Sequence, residues 1–96
     1  MLERISKEEF KKKLDSGEYV LIDVRTQDEN NQMKIADSLV CDITRPDFAE
    51  KIQSLDKNKK YLIYCMSGNR SSHALGFMGQ AGFKEVCELE GGIMNW

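Results

Sequence analysis

The stretch Tyr61-Leu62-Ile63-Tyr64-Cys65-Met66-Ser67-Gly68-Asn69-Arg70-Ser71 joins a continuous apolar run, a short polar loop and the start of a periodic segment. Consecutive apolar residues over a short run suit a strand buried on both faces, as in a parallel sheet. From Ser71 to about Ala81, the positions of Ala74, Leu75, Phe77, Met78 and Ala81 predict a helix that Gly82 ends. Gly76 and Gly79 lie inside it, each costing about 1 kcal/mol relative to alanine. Close packing of the helix on the sheet is their expected reason. Strand, loop and helix in this order make an α/β unit, whose ligands bind beyond the carboxyl ends of the strands.

The same alternation runs through the rest of the chain. Ser6 stands as N-cap of a first helix, with Glu9 at the capping-box position and Ile5 and Phe10 at staple spacing. Leu14 continues its apolar stripe, Gly17 is a C-terminal stop, and Lys11-Lys12-Lys13 forms a solvated face. Tyr19 to Ile22 reads as a buried strand ending at Asp23. Thr26 to Lys34 reads as a loop with a helical turn, and Ser38 to Ile43 as a further strand. Pro46 opens a helix with Phe48, Ile52 and Leu55 on one face. Glu85 to Leu89 is a last strand, and Gly91-Gly92 makes a tight turn before Ile93 to Trp96. The expected fold is α/β: a central, mostly parallel sheet of about five short strands with helices on both faces, in one domain spanning 1–96.

Composition narrows the function. The 96 residues are 41% hydrophobic and 31% charged, a globular balance, with a formal charge of −2. A weakly negative chain points away from nucleic acid and anionic membranes as partners. No segment nears the roughly 18 apolar residues of a membrane span. Three cysteines and one histidine exclude a Cys₂His₂ zinc site. An odd cysteine count without an apolar leader fits a reducing compartment, and the expected location is cytoplasmic. No metal or other cofactor is implied.

The three cysteines are not equivalent. Cys41 and Cys87 lie inside strand-like runs and read as small buried hydrophobes. Cys65 lies where a buried strand hands over to a helix through a loop containing Gly68. Backbone N–H groups of such a loop converge on an anion. The helix dipole and the Arg70 guanidinium add to the positive field. These features favour thiolate over thiol, and thiolate is the nucleophile. His73 follows at the start of the helix; with nothing beside it in sequence to orient it, it reads as an ordinary surface or half-buried histidine.

In these residues the chain resembles the rhodanese-like (sulfurtransferase) domain family over nearly its whole length. Leu21-Ile22-Asp23-Val24-Arg25, followed by Glu29, is similar to the family's strand ending in Asp-Val-Arg. Cys65-Met66-Ser67-Gly68-Asn69-Arg70-Ser71 fits the single-domain pattern C-x-x-G-x-R-[ST]. Gly82-Phe83, Val86, Leu89, Gly91-Gly92 and Trp96 match its closing pattern. One stretch departs: Met33-Lys34-Ile35-Ala36-Asp37-Ser38 stands where the family has Gly-His-Ile and a Gly-Ala pair, and only Ile35 matches. Many members also continue past the position of Trp96.

The resemblance implies a sulfurtransferase. Cys65 attacks the outer sulfur of a small anionic donor such as thiosulfate and becomes a persulfide, and sulfite leaves as a stable anion. The persulfide passes its sulfur to cyanide or to a thiol acceptor, a protein thiol included. Met66, Ser67, Gly68, Asn69, Arg70 and Ser71 form the binding loop, with Arg70 attracting the donor, while Asp23 and Arg25 pair their charges near the site. Two alternatives stand beside this. One is a non-enzymatic binding, sulfur-carrier or redox-sensing module; no second cysteine is close to Cys65 in sequence to act as a sensor's resolving thiol, though Cys41 or Cys87 could approach in space. The other is a phosphatase or arsenate reductase, which the shorter C-x₄-R spacing and the lack of an acid for the leaving group disfavour.

Overall fold

A computed structural model describes residues 1–96. Five strands, β1 (Leu2–Ile5), β2 (Tyr19–Asp23), β3 (Leu39–Val40), β4 (Lys60–Tyr64) and β5 (Glu85–Leu89), form one sheet in the order β1-β5-β4-β2-β3. Every neighbouring pair is parallel. Four helices connect them: α1 (Lys7–Asp15), α2 (Gln27–Gln32), α3 (Phe48–Gln53) and α4 (Asn69–Gln80), and a 3₁₀ turn follows at Ile93–Asn95. No helix is long and apolar enough to cross a membrane.

The apolar runs are strands because alternate residues find a different core on each face. Tyr61 and Ile63 on β4, and Cys65 directly after it, join Ile22, Val24, Phe48, Ile52, Ala74 and Met78 under α3 and α4. Leu62 and Tyr64 point the other way, to Ile5, Phe10, Leu21, Leu89 and Ile93 under α1 and the 3₁₀ turn. Helices therefore cover both faces of an α/β sheet.

The differences from the sequence reading lie at the edges. β1 is a strand where only the helix after it was legible; of its four residues Ile5 alone is buried, so it carries no apolar run. β3 keeps two residues rather than the six of Ser38 to Ile43. Cys41 and Ile43 still donate to Asp23 and Val24 carbonyls, but Asp42 Oδ1 accepts from Thr44 N at 2.9 Å and turns the chain away. α3 begins at Phe48, after Pro46 and Asp47 have passed in a turn. α4 begins two residues earlier than the apolar pattern implies, at Asn69, directly after Gly68 at φ 105°.

The two glycines of α4 part company. A β-carbon on Gly79 would lie 2.6 Å from Leu2 Cδ1, so this residue admits the edge strand against the helix. Gly76 is exposed with nothing within 4 Å, and close packing does not account for it.

The order of strands locates the site. The chain leaves β2 through α2 toward β3, but leaves the neighbouring β4 through α4 toward β5. Where two adjacent strands send their connections in opposite directions, a crevice opens at their carboxyl ends. The segments after Asp23 and after Tyr64 line it.

Candidate active site

Cys65 follows directly on β4 and is 1% exposed. The Gly68 N–H donates to its Sγ at 3.0 Å, and Sγ lies 3.4 Å from Ser71 Oγ. Gly68 makes this possible: its φ of 105° folds the loop back onto the sulfur, a conformation that side chains rarely adopt. The N–H groups of Met66, Asn69 and Arg70 have no protein acceptor in loop or helix, those of Ser67 and Ser71 face the sulfur, and the first α4 bond at this end is Ser72 N–H to Gly68 O at 3.1 Å. A set of converging, unpaired N–H groups at a helix start is an anion cradle.

Burial pushes the Cys65 thiol up, but hydrogen bonds from the Ser71 side chain and from the N–H groups of Ser71, Gly68 and Ser67 outweigh it. Its ionisation falls below the ordinary thiol range. Burial pushes Cys41 and Cys87 the other way. Neither reaches Cys65. Asp23 pairs with both Tyr64 and Val40, so one step on, Val24 stands between Cys65 and Cys41. Two strand spacings put their Cα atoms about 10 Å apart, beyond the roughly 7 Å limit of a disulfide. Cys87 packs in the opposite core.

The back of the loop is braced by the C-terminal turn. Ile93 N–H donates to Cys65 O at 2.9 Å and Met94 N–H to Met66 O at 3.1 Å. Gly92, with φ 66° and ψ −165°, brings this turn close: a β-carbon there would overlap the Met66 carbonyl and lie 2.6 Å from Cys65 O. The glycine pair is thus part of the site's support.

Arg70 departs from the picture of a free positive charge. Its two terminal nitrogens hold both oxygens of Glu29, Nη1 to Oε1 at 2.7 Å and Nη2 to Oε2 at 2.8 Å. The pair clamps α4 to α2 across the crevice. Glu29 is itself placed by a capping box, its N–H donating to Thr26 Oγ1 at 3.1 Å while Oε1 accepts from Thr26 N–H at 3.2 Å. Thr26-Gln27-Asp28-Glu29 is the sequence signal for this helix start. Ser67 and Asn69 are exposed. His73 is exposed on α4, outside the crevice.

Hydrogen bonding to Arg70 lowers the Glu29 carboxyl from an ordinary 4.5 to about 2, against the opposing effect of burial and with help from Thr26. A depressed carboxyl stabilises the fold fully above its unfolded value and loses that contribution as pH falls through the folded one. Stability is therefore expected to decline between pH 4.5 and about 2 by an amount that Glu29→Gln removes. Urea midpoints of both proteins across this range provide the check, and parallel pH profiles would count against the clamp.

Asp23 and Arg25 lie below the crevice, 0% and 1% exposed. Asp23 accepts from Arg25 Nη2 at 2.7 Å, Asn30 Nδ2 at 3.0 Å and Tyr64 OH at 3.0 Å. Arg25 also donates to Met33 O at 2.6 Å and stacks 5.2 Å from the Tyr64 ring. The atypical segment is anchored here, by Met33 O and by Ile35 N–H donating to Tyr64 OH at 3.4 Å. Asn30 and Tyr64 complete this cluster, and neither belongs to a chemical motif that would flag it in the sequence.

The family model described as rhodanese-like domain matches residues 6–96. A putative sulfurtransferase, YtwF, of Bacillus subtilis is 36% identical over 99% of this chain and 90% of its own length. A tRNA uridine(34) hydroxylase of Cytophaga hutchinsonii is also 36% identical, but the match spans 29% of that longer protein. The crystal structure of a rhodanese-related protein from Thermoplasma volcanium superposes with a TM-score of 0.85 at 32% identity, covering 98% of this chain and 89% of the other.

Proposed function

The chain belongs to the rhodanese-like domain family, and on that footing we propose that it is a sulfurtransferase in which Cys65 carries sulfur as a persulfide. The donor is a small anion with a terminal sulfur, of the thiosulfate type, and the acceptor is cyanide or a thiol. The observation that carries this reading is the Gly68 N–H on Cys65 Sγ at 3.0 Å in a loop whose Met66, Asn69 and Arg70 N–H groups have no protein acceptor. The cradle favours the thiolate before attack and the persulfide anion after it.

The steps follow from the chemistry. The Cys65 thiolate forms a bond to the outer sulfur of thiosulfate as the bond between the two thiosulfate sulfurs breaks, and sulfite departs with that electron pair. In the second half the acceptor attacks the outer persulfide sulfur and the Cys65 thiolate is restored. Both leaving groups are stable anions, so neither step needs an acid. A side chain 1% exposed favours a donor that presents one terminal atom over a bulky phosphate ester. Arg70, held by Glu29, lends its charge to the crevice as a pair rather than as a free cation.

Intact-mass measurement after incubation with thiosulfate is expected to show one added sulfur atom on the wild type and none on Cys65→Ser. Thiocyanate formation from thiosulfate and cyanide should vanish in the same variant. A wild type that gains no sulfur and turns over no thiosulfate would remove this donor class and leave a binding module.

A further inference from the structure

Ser71 Oγ has one proton and three acceptors around it. Glu88 Oε2 lies 2.5 Å away, Cys65 Sγ 3.4 Å and Gly68 O 3.4 Å. Ser71 and Glu88 are 0% and 1% exposed, so water does not compete. A short O–H···O⁻ bond to a buried carboxylate is the strongest of these. With its proton on Glu88, Ser71 turns a lone pair toward the sulfur. That arrangement accepts a hydrogen bond from the thiol and opposes the thiolate. A thiolate or persulfide gains the Ser71 hydroxyl only when the proton swings away from Glu88.

The surroundings allow the swing. Glu88 Oε2 also accepts from Ser72 Oγ at 3.2 Å, and Oε1 accepts from Arg4 Nε at 3.2 Å. Arg4 also donates to Ser72 Oγ. The register of the sheet sets Arg4, Glu88 and Ile63 side by side on β1, β5 and β4. The carboxylate therefore keeps partners after Ser71 leaves. The other charged group within electrostatic reach of Cys65 is Arg70 from α4, which itself faces Glu29 from α2 and Asp42 from the loop after β3 and is neutralised by its pair with Glu29.

We propose that Glu88 is a positioning residue that controls the protonation of Cys65 through Ser71, by holding the Ser71 hydroxyl proton away from the sulfur until the thiolate or persulfide forms. This rests on Cys65 as the reacting group, and extends it to a buried acid that never touches the substrate. No atom is exchanged; one hydroxyl proton changes its acceptor as the thiol proton leaves to solvent.

The test is the pH dependence of Cys65 alkylation by iodoacetamide, resolved by site with mass spectrometry, with circular dichroism to confirm folding. Glu88→Gln is expected to lower the midpoint by about one pH unit, a roughly tenfold faster reaction below it. Ser71→Ala should raise the midpoint, and in that background Glu88→Gln should lose more than half of its effect. An unchanged or raised midpoint in folded Glu88→Gln overturns the proposal. So does a full shift that persists without Ser71, which would mean that Glu88 acts by its field alone. If Glu88→Gln does not fold, Arg4→Gln at the half-exposed edge is expected to raise the midpoint through Ser71, and an unchanged or lowered one overturns the proposal. Alkylation uses no sulfur donor, so this result is separable from failure of sulfur transfer itself.

Discussion

Asp23→Ala is expected to remove about 3–5 kcal/mol of folding stability, the usual cost of stranding one member of a buried ion pair. Three partners lose their acceptor together. Arg25, 1% exposed, keeps only the Met33 carbonyl and the face of Tyr64. Asn30 Nδ2 and Tyr64 OH are left without the oxygen that each meets at 3.0 Å. Against a total stability of roughly 5–15 kcal/mol for a small domain, such a loss leaves a marginal or unfolded protein at ordinary temperature. The double variant Asp23→Leu/Arg25→Met removes both charges and should recover part of the loss, because Asn30 still lacks its acceptor. Urea denaturation of the three proteins reads the difference. A single-variant loss below about 1 kcal/mol would show that the cluster is not buried as the geometry has it.

Gly92→Ala is expected to cut sulfur-transfer turnover by about a hundredfold or more, the scale of a 1 Å displacement at a reacting group. Its φ of 66° and ψ of −165° belong to a region open essentially to glycine, so alanine adds strain of about 1–3 kcal/mol. The new β-carbon also meets backbone rather than a flexible side chain: it overlaps the Met66 carbonyl and comes within 2.6 Å of Cys65 O. Either the loop or the C-terminal turn must move, and both Ile93 N–H to Cys65 O and Met94 N–H to Met66 O are at risk. Gly17→Ala is the control. Gly17 also has positive φ, 74°, but nothing lies within 4 Å, so that variant should lose stability without losing turnover per folded molecule. A folded Gly92→Ala with wild-type turnover would show that the brace does not position Cys65.

Much of the fold was legible because it is written in local patterns. Tyr19 to Ile22 and Tyr61 to Tyr64 are apolar without interruption, which only a strand covered on both faces explains, and they became β2 and β4 at the middle of the sheet. The α1 start was legible from Ser6 and Glu9, and Ser6 Oγ does accept from Glu9 N–H at 3.2 Å. The edge strands were not. β1 is defined by its ladder to β5, from Leu2 beside Val86 to Ile5 beside Leu89. That ladder links residues more than eighty positions apart, with one buried side chain on the edge strand to betray it.

The candidate site divides in the same way. A strand, Cys65, Gly68 and a helix in sequence suffice to form a sulfur-facing loop, because loop curvature and helix start are local properties of neighbouring residues. The sequence alone therefore distinguished which of the three cysteines lies in a loop between strand and helix with N–H groups turned to its sulfur. It did not show that Glu29 sits 2.7 Å from Arg70. That contact exists because β2 and β4 are neighbours whose connections diverge. In the same way the partner of Ser71 is Glu88, and the brace behind Cys65 is Gly92, only because β5 is laid beside β4. Residue types and short spacings single out Cys65 as the candidate nucleophile. The pairing of strands distant in sequence decides which charges are cancelled around it, which proton faces it and what holds it in place, since those are contacts that only the folded sheet creates.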